Sequence, residues 1–207
     1  MGGIISRKKI GILVGTFNPV HIGHLQLAKN AYETFQLDSV LMMVNGMPPH
    51  KRTAEVLDGG IRLEMLKRGI SHTKGLKASD FELKREEVNF TYKTLELLTL
   101  EYPDTDFYFI MGADSLCSID SWKHPEKICQ LATFLVAVRD DWDRILVSRE
   151  IARVQKKYQA KIEFLDMPEI EISSSEIRKR VKQGKSILRY VPVEVDHYIK
   201  KHQLYRE

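Results

Sequence analysis

The sequence predicts an α/β fold, a doubly wound parallel sheet with helices on both faces. Three observations carry that expectation. Strand-like and helix-like stretches alternate along all 207 residues, the grammar of crossover units that build parallel sheets. Residues 39–44, SVLMMV, are apolar without alternation, as a strand covered on both faces must be. Residues 10–25, IGILVGTFNPVHIGHL, pass from an apolar run through a glycine and a Thr-Phe-Asn-Pro turn straight into helical periodicity.

In chain order, the first strand ends at Gly15 and a helix over about 22–35 carries Leu25, Ala28, Tyr32 and Phe35 on one stripe. The strand 39–44 runs into Asn45-Gly46-Met47-Pro48-Pro49-His50-Lys51, where two prolines stiffen the loop. This is a surface turn, or a fixed backbone presenting His50 and Lys51. Asp58 is placed to cap a helix over about 60–71, with Ile61, Met65 and Leu66 inward and Arg62 outward. Residues 76–83 alternate like a half-exposed strand. After a polar loop, Thr91 is placed as an N-cap or as a hydroxyl facing a ligand.

The next strand, 106–111, stops at Gly112-Ala113-Asp114-Ser115. Trp122 precedes a helix, where it either roofs the core or stacks on an aromatic substrate. A fifth strand over 133–138 puts Arg139 at its carboxyl end, and a helix over about 143–158 leads to a sixth strand over 161–165. Ser173 and Glu176 have capping-box spacing, Ile177, Val181 and Leu188 supply an inner face, and Gly184 marks the stop. A final amphipathic helix begins at Pro192. No repeat or linker interrupts residues 1–207, so a single domain is expected.

Two of these stretches carry chemistry. At the first, a strand–glycine–helix junction points backbone N–H groups and a positive dipole end at an anion, and Gly15 lets the backbone approach a phosphate. His21 and His24, three apart at the helix start, share a face. They lack the His-Glu-x-x-His zinc spacing, and neither a P-loop nor a Gly-x-Gly-x-x-Gly fingerprint occurs here. At the second, Ser173-Ser174-Ser175-Glu176-Ile177-Arg178 is a capped helix start or a second phosphate cradle. Ligands of open α/β sheets bind beyond the carboxyl ends of the strands, so the loops after Gly15, Val44 and Gly112 are expected to converge.

Composition narrows the class. Hydrophobic residues are 43% and charged ones 29%, ordinary for a globular enzyme. A net charge of +4 suits small anions as well as nucleic acid, but the lysines are dispersed rather than striped with aromatics, against RNA binding. Two cysteines make no secreted disulfide framework, and no signal-like or membrane-length apolar run occurs. A reduced, cytoplasmic protein without membrane or nucleic-acid partners is expected, its oligomeric state open and a homo-oligomer included.

The run Gly-Thr-Phe-Asn-Pro-Val-His-Ile-Gly-His resembles the nucleotidyltransferase motif GTF(D/N)PxHxGH. Further along, Asn45-x-x-Pro-Pro-His-Lys51, Arg62-x-Glu-Met-Leu, Phe90-Thr91-Tyr92, Gly112-Ala113-Asp114-Ser115, Trp122 and Ile172-Ser-Ser-Ser-x-Ile-Arg178 are similar, in order and spacing, to the bacterial nicotinate-nucleotide adenylyltransferases. Pantetheine-phosphate adenylyltransferases share the two ends but lack the Pro-Pro-His-Lys and Trp-Lys-His-Pro segments. Asn18 stands where that family more often has aspartate, Asn89-Phe90 replaces Ser-Tyr, and Asp-Asp follows Arg139.

The resemblance implies a Rossmann-like fold and adenylyl transfer from ATP to nicotinate mononucleotide, with Mg2+ carried by the ATP phosphates. It implies catalytic roles for His24, His21 and Arg178, and ATP contacts from Gly15, Thr16, Phe17, Ser173, Ser174 and Ser175. The acceptor nucleotide falls to Asn45, Lys51, Thr91, Asp114, Trp122 and Arg139. The C-terminal helical part, about 172–207, completes the ATP site. Competing expectations are another acceptor (the amide analogue or phosphopantetheine) and a nucleotide-binding module without turnover.

Overall fold

The structure, a computed structural model, describes residues 7–46, 56–85, 87–138, 141–168 and 171–206, with the side chains of 141–143 left out. Lys51 and Arg139 lie outside the described residues. Six strands, β1 (Lys8–Gly15), β2 (Ser39–Val44), β3 (Leu76–Ser79), β4 (Thr105–Gly112), β5 (Ala132–Val138) and β6 (Ile162–Asp166), form one parallel sheet in the order β3-β2-β1-β4-β5-β6. That is the doubly wound arrangement expected from the sequence.

The helices are α1 (Ile22–Thr34), α2 (Gly59–Ile70), α3 (Thr91–Glu101), α4 (Ala113–Cys117), α5 (Pro125–Leu131), α6 (Asp141–Tyr158), α7 (Ser174–Lys182) and α8 (Val193–Lys201). Two compact units divide the chain. One holds Met1–Leu13, Asn30–Val40 and Phe90–Pro168, the other Val14–Lys29, Leu41–Asn89 and Glu169–Glu207. The division falls inside β1, α1 and β2.

In the first unit β4 is the hub. It pairs in parallel with β1 (Ile10 opposite Phe107) and with β5 (Ile110 opposite Leu135). Buried Phe107, Phe109, Ile110, Phe134, Leu135, Val136 and Leu165 fill this region, the near-continuous apolar content of strands with both faces covered. Gly11 admits close packing, since a Cβ there would meet Leu37 and Val40 at 2.9 Å.

In the second unit Met42, Met43 and Val44 of β2 are fully buried. There α2 packs on α8. A Cβ on Gly69 would lie 3.1 Å from Val20 and 3.3 Å from Val195, so glycine sets the approach. Asp58 caps α2 by accepting from the Gly60 N–H at 2.8 Å, as its position predicts.

Several local expectations are corrected. Strand β3 stops at Ser79 instead of reaching 83, because the Ser79 hydroxyl accepts from the Phe81 N–H and Lys84 N–H turns back to the Asp80 carbonyl. Short polar side chains offer the backbone such alternatives to a ladder. Thr91 is the first residue of α3, and Phe90 takes the cap position without a side-chain bond. Leu188 is 51% exposed, because α7 ends at Lys182 and that residue lies beyond it. Gly184 does close α7: at φ +68° it supplies the left-handed turn, with Gly184 N–H bonded to Val181 O and Lys185 N–H to Arg180 O.

Candidate active site

The second unit carries the phosphate-type half of the expected site. After Gly15 the chain folds back sharply: Phe17 sits at φ +47° with its ring buried, and the Asn18–Pro19 peptide is cis. A Cβ on Gly15 would meet the Phe17 ring at 2.8 Å. Glycine is therefore required here by the loop's own packing, whatever approaches from outside.

His21 and His24 stack with ring centroids 3.6 Å apart and planes 26° apart, and Phe17 meets His24 edge-on at 5.0 Å. The His21 N–H donates to His24 Nδ1 at 3.3 Å, which leaves the neutral ring's proton on Nε2 as a donor. Burial holds His21 at about 4. Burial, with the adjacent His21 ring adding to it, holds His24 at about 3. At neutral pH the pair is uncharged, and its donors are dipolar rather than cationic. His21 Nδ1 is buried and has no hydrogen-bond partner among the described residues.

The second element meets this turn directly. Ser174 Oγ donates to the Pro19 carbonyl at 2.8 Å, and Arg178 donates to the Asn18 carbonyl at 3.0 Å. Ser173 caps α7 by accepting from Glu176 N–H at 3.2 Å and exchanges a hydroxyl bond with Ser175 at 2.9 Å. Two stretches over 150 residues apart are thus joined, a hydroxyl and a guanidinium from the start of α7 holding the backbone of the turn that precedes the histidines. The start of α1 is less open than expected: Ile22 N–H is taken by the Tyr190 carbonyl at 2.9 Å, and His24 N–H by His21 O at 3.0 Å.

Asn45 is held from all sides. Its N–H donates to Gly15 O at 3.0 Å, its Nδ2 to Thr16 Oγ1 at 3.3 Å, and its Oδ1 accepts from Arg62 at 3.2 Å. Arg62 itself is 1% exposed, opposite to the outward placement expected. It donates to Leu57 O, Thr16 O, Asn45 Oδ1 and Asn45 O at 2.8–3.2 Å, tying three loop ends together. Burial lowers its pKa from the ordinary value, with Asp58 acting in the other direction. The signal was in the spacing: positions 62, 65, 66, 69 and 70 are the buried stripe of α2.

In the first unit, Thr91 opens α3, and exposed Asp114 lies in the first turn of α4 after Gly112 ends β4. Trp122 follows a 3-10 turn, Ile119–Ser121, and packs edge-on to Phe109 at 6.1 Å while part of it reaches the surface. It roofs the core and still offers a ring face, so neither reading of it is displaced.

A parallel sheet in this strand order, with paired histidines after its first strand, defines a class of doubly wound α/β proteins. Residues 12–180 match the cytidylyltransferase-like family, to which the chain belongs. A Lachnoclostridium phytofermentans protein named "Probable nicotinate-nucleotide adenylyltransferase" is 40% identical over 198 residues, 96% of this chain and 99% of that one. A Clostridium novyi protein of the same name is 38% identical over 199 residues, 96% of this chain and all of its own length. Within the larger family the chain therefore belongs with the nicotinate-nucleotide adenylyltransferases. Among solved structures, Plasmodium falciparum nicotinic acid mononucleotide adenylyltransferase complexed with NaAD aligns with TM-score 0.78 at 24% identity, over 96% of this chain and 97% of that one. The same enzyme complexed with APC aligns with TM-score 0.75 at 22% identity over the same shares. At these identities the likeness concerns the fold.

Proposed function

We propose that this protein joins ATP and nicotinate mononucleotide into nicotinate adenine dinucleotide and pyrophosphate, a step of NAD biosynthesis. The observation that supports it best is the junction of Ser174 and Arg178 with the carbonyls of Pro19 and Asn18, at 2.8 and 3.0 Å. It ties the serines and guanidinium of α7 to the turn that leads into the two histidines, so that on this reading one polyanion engages both.

The chemistry follows from the charges. The acceptor's 5′-phosphate is already ionised near neutral pH, so no strong base is needed, and the work is positioning and charge stabilisation. A phosphate oxygen attacks the α-phosphorus in line, the new P–O bond forms as the α–β bridging bond breaks, and pyrophosphate leaves. His24, through Nε2–H, and His21 contact the reacting phosphates, while Ser173, Ser174, Ser175 and Arg178 grip the β- and γ-phosphates. Gly15, Thr16 and Phe17 shape the turn around ATP. Neutral histidines suit this role, since they donate without needing to shed a proton at working pH.

Among the described residues no group of three His, Cys, Asp or Glu gathers as a metal cage. Mg2+ would come with the ATP phosphates, held by their oxygens and water, and would offset their charge. Asn45, Thr91, Asp114 and Trp122, with Lys51 and Arg139 outside the described residues, are assigned to the acceptor nucleotide by the family resemblance. Because the division between the two units falls inside β1, α1 and β2, we read residues 1–207 as one functional domain. Among the described residues no helix is long and apolar enough to cross a membrane, and Cys117 and Cys129 are free. The cytoplasmic location we propose rests on the adenylyl-transfer reading and its ATP substrate.

The test is pyrophosphate release with ATP and each of three acceptors: nicotinate mononucleotide, its amide analogue and phosphopantetheine. Preference for the first supports the reading. Preference for either of the others, or ATP binding without turnover on all three, overturns it.

A further inference from the structure

We propose that Tyr205 is a positioning residue for the phosphate-binding turn, acting through Asn18. The assignment rests on the adenylyl-transfer reading above for its meaning and on geometry for its content. Tyr205 lies 187 positions from Asn18, yet its hydroxyl donates to Asn18 Oδ1 at 2.8 Å. Left-handed backbone at Gln203 (φ +51°) and Tyr205 (φ +62°), with Leu204 N–H returned to Ile199 O at 3.0 Å, turns the chain after α8 so that this ring points inward. Such φ values are uncommon for residues with a Cβ. Here they aim one side chain at the turn.

Asn18 is the joint through which the effect passes. It is 2% exposed, its Oδ1 also accepts the Leu57 N–H at 3.4 Å, and its own carbonyl takes Arg178. On one side its neighbour Phe17 sets the edge of His24, and on the other Pro19 receives Ser174. A displacement of Asn18 therefore moves both halves of the phosphate cluster together. Burial pushes the Tyr205 phenol well above its ordinary value, so it stays a neutral donor across any working pH.

Tyr205→Phe keeps the ring and removes only the donor. One net hydrogen bond corresponds to about 2- to 12-fold in an equilibrium constant, so ATP affinity, titrated without acceptor, is expected to fall by about that factor. The KM for nicotinate mononucleotide stays unchanged. Asn18→Ala is expected to lower ATP affinity as well, and the double variant to lose no more than Asn18→Ala alone. In the ligand-free proteins the imidazole 15N shifts of His24 are expected to move in Tyr205→Phe. A lower melting temperature with unchanged ATP affinity and unchanged His24 shifts makes Tyr205 a packing residue and overturns the proposal. Additive losses in the double variant, or equal effects on both substrates, also overturn it. If the wild-type protein fails to turn over nicotinate mononucleotide, the acceptor reading falls. The ATP titration and the His24 shifts still decide the role of Tyr205.

Discussion

Replacing His21 and His24 together by glutamine removes two imidazoles that the fold keeps uncharged, and the consequence is a change in how stability depends on pH. In the folded protein the two sit at about 4 and about 3, while an unfolded histidine titrates at about 6.5. Between those values the unfolded chain binds more protons than the folded one, so stability rises with pH through this window and is lost as pH falls. At pH 7 each unfolded histidine carries about a quarter of a proton, and at pH 5 nearly a whole one. Integrating the difference gives about 2 kcal/mol per histidine between pH 7 and pH 5, or about 4 kcal/mol for the pair.

The assay is urea denaturation at both pH values for wild type and for the His21→Gln/His24→Gln variant. Carboxylates and the other histidines are common to both proteins, so they cancel in the difference of differences. Wild type is expected to lose about 4 kcal/mol more than the variant on going from pH 7 to pH 5. Equal pH dependence in the two proteins would refute the uncharged pair, and with it the reading that His24 meets phosphate through a neutral Nε2–H.

His24→Ala is expected to lower kcat by more than about a hundredfold with the fold intact, a loss of several kcal/mol of transition-state stabilisation. Near-normal turnover rejects the role. Arg62→Met leaves the acceptors on Leu57, Thr16 and Asn45 without their buried donor and is expected to cost about 3–5 kcal/mol in denaturant unfolding. A cost under about 1 kcal/mol returns Arg62 to the surface. Gly15→Ala drives a methyl into the Phe17 ring at 2.8 Å and is expected to destabilise by about 1–3 kcal/mol, most of it recovered by adding Phe17→Leu. No recovery would mean that glycine serves something other than that ring. Trp122→Ala is expected chiefly to raise the KM for the acceptor, and an unchanged value assigns Trp122 to the core.

What the sequence made legible was local. The apolar run of β2, the glycine–turn–helix passage after β1, the Asp58 and Ser173 caps and the Gly184 stop each depend on residues within a turn of one another, and the structure has them where pattern and chemistry place them. Arg62 was misplaced because charge normally outweighs position in judging which side of a helix faces water. Its burial works only because acceptors from three separate loops gather around one guanidinium, and no local pattern encodes that gathering. The same holds for Tyr205 and Tyr190, which reach the turn from far downstream. Thr91 fell one position out because a hydroxyl is a good cap, but the extended residue before the helix was Phe90. Gly15 has a further reason that no local pattern shows, since a Cβ there would meet the ring of Phe17.

The spacing of these contacts sets a schedule. Ser174, Arg178 and Tyr205 are made 155, 160 and 187 residues after the Pro19 or Asn18 that each of them holds. At about 5–20 residues per second, the nascent turn waits roughly 10–40 s for its last brace. On the adenylyl-transfer reading, a ribosome-bound chain that has not yet produced α7 carries the histidine motif without the serines and Arg178 assigned to the β- and γ-phosphates. On that reading competence requires α7 and the turn that follows α8, and ATP affinity measured on arrested chains of increasing length should switch on only once Ser174, Arg178 and Tyr205 are included.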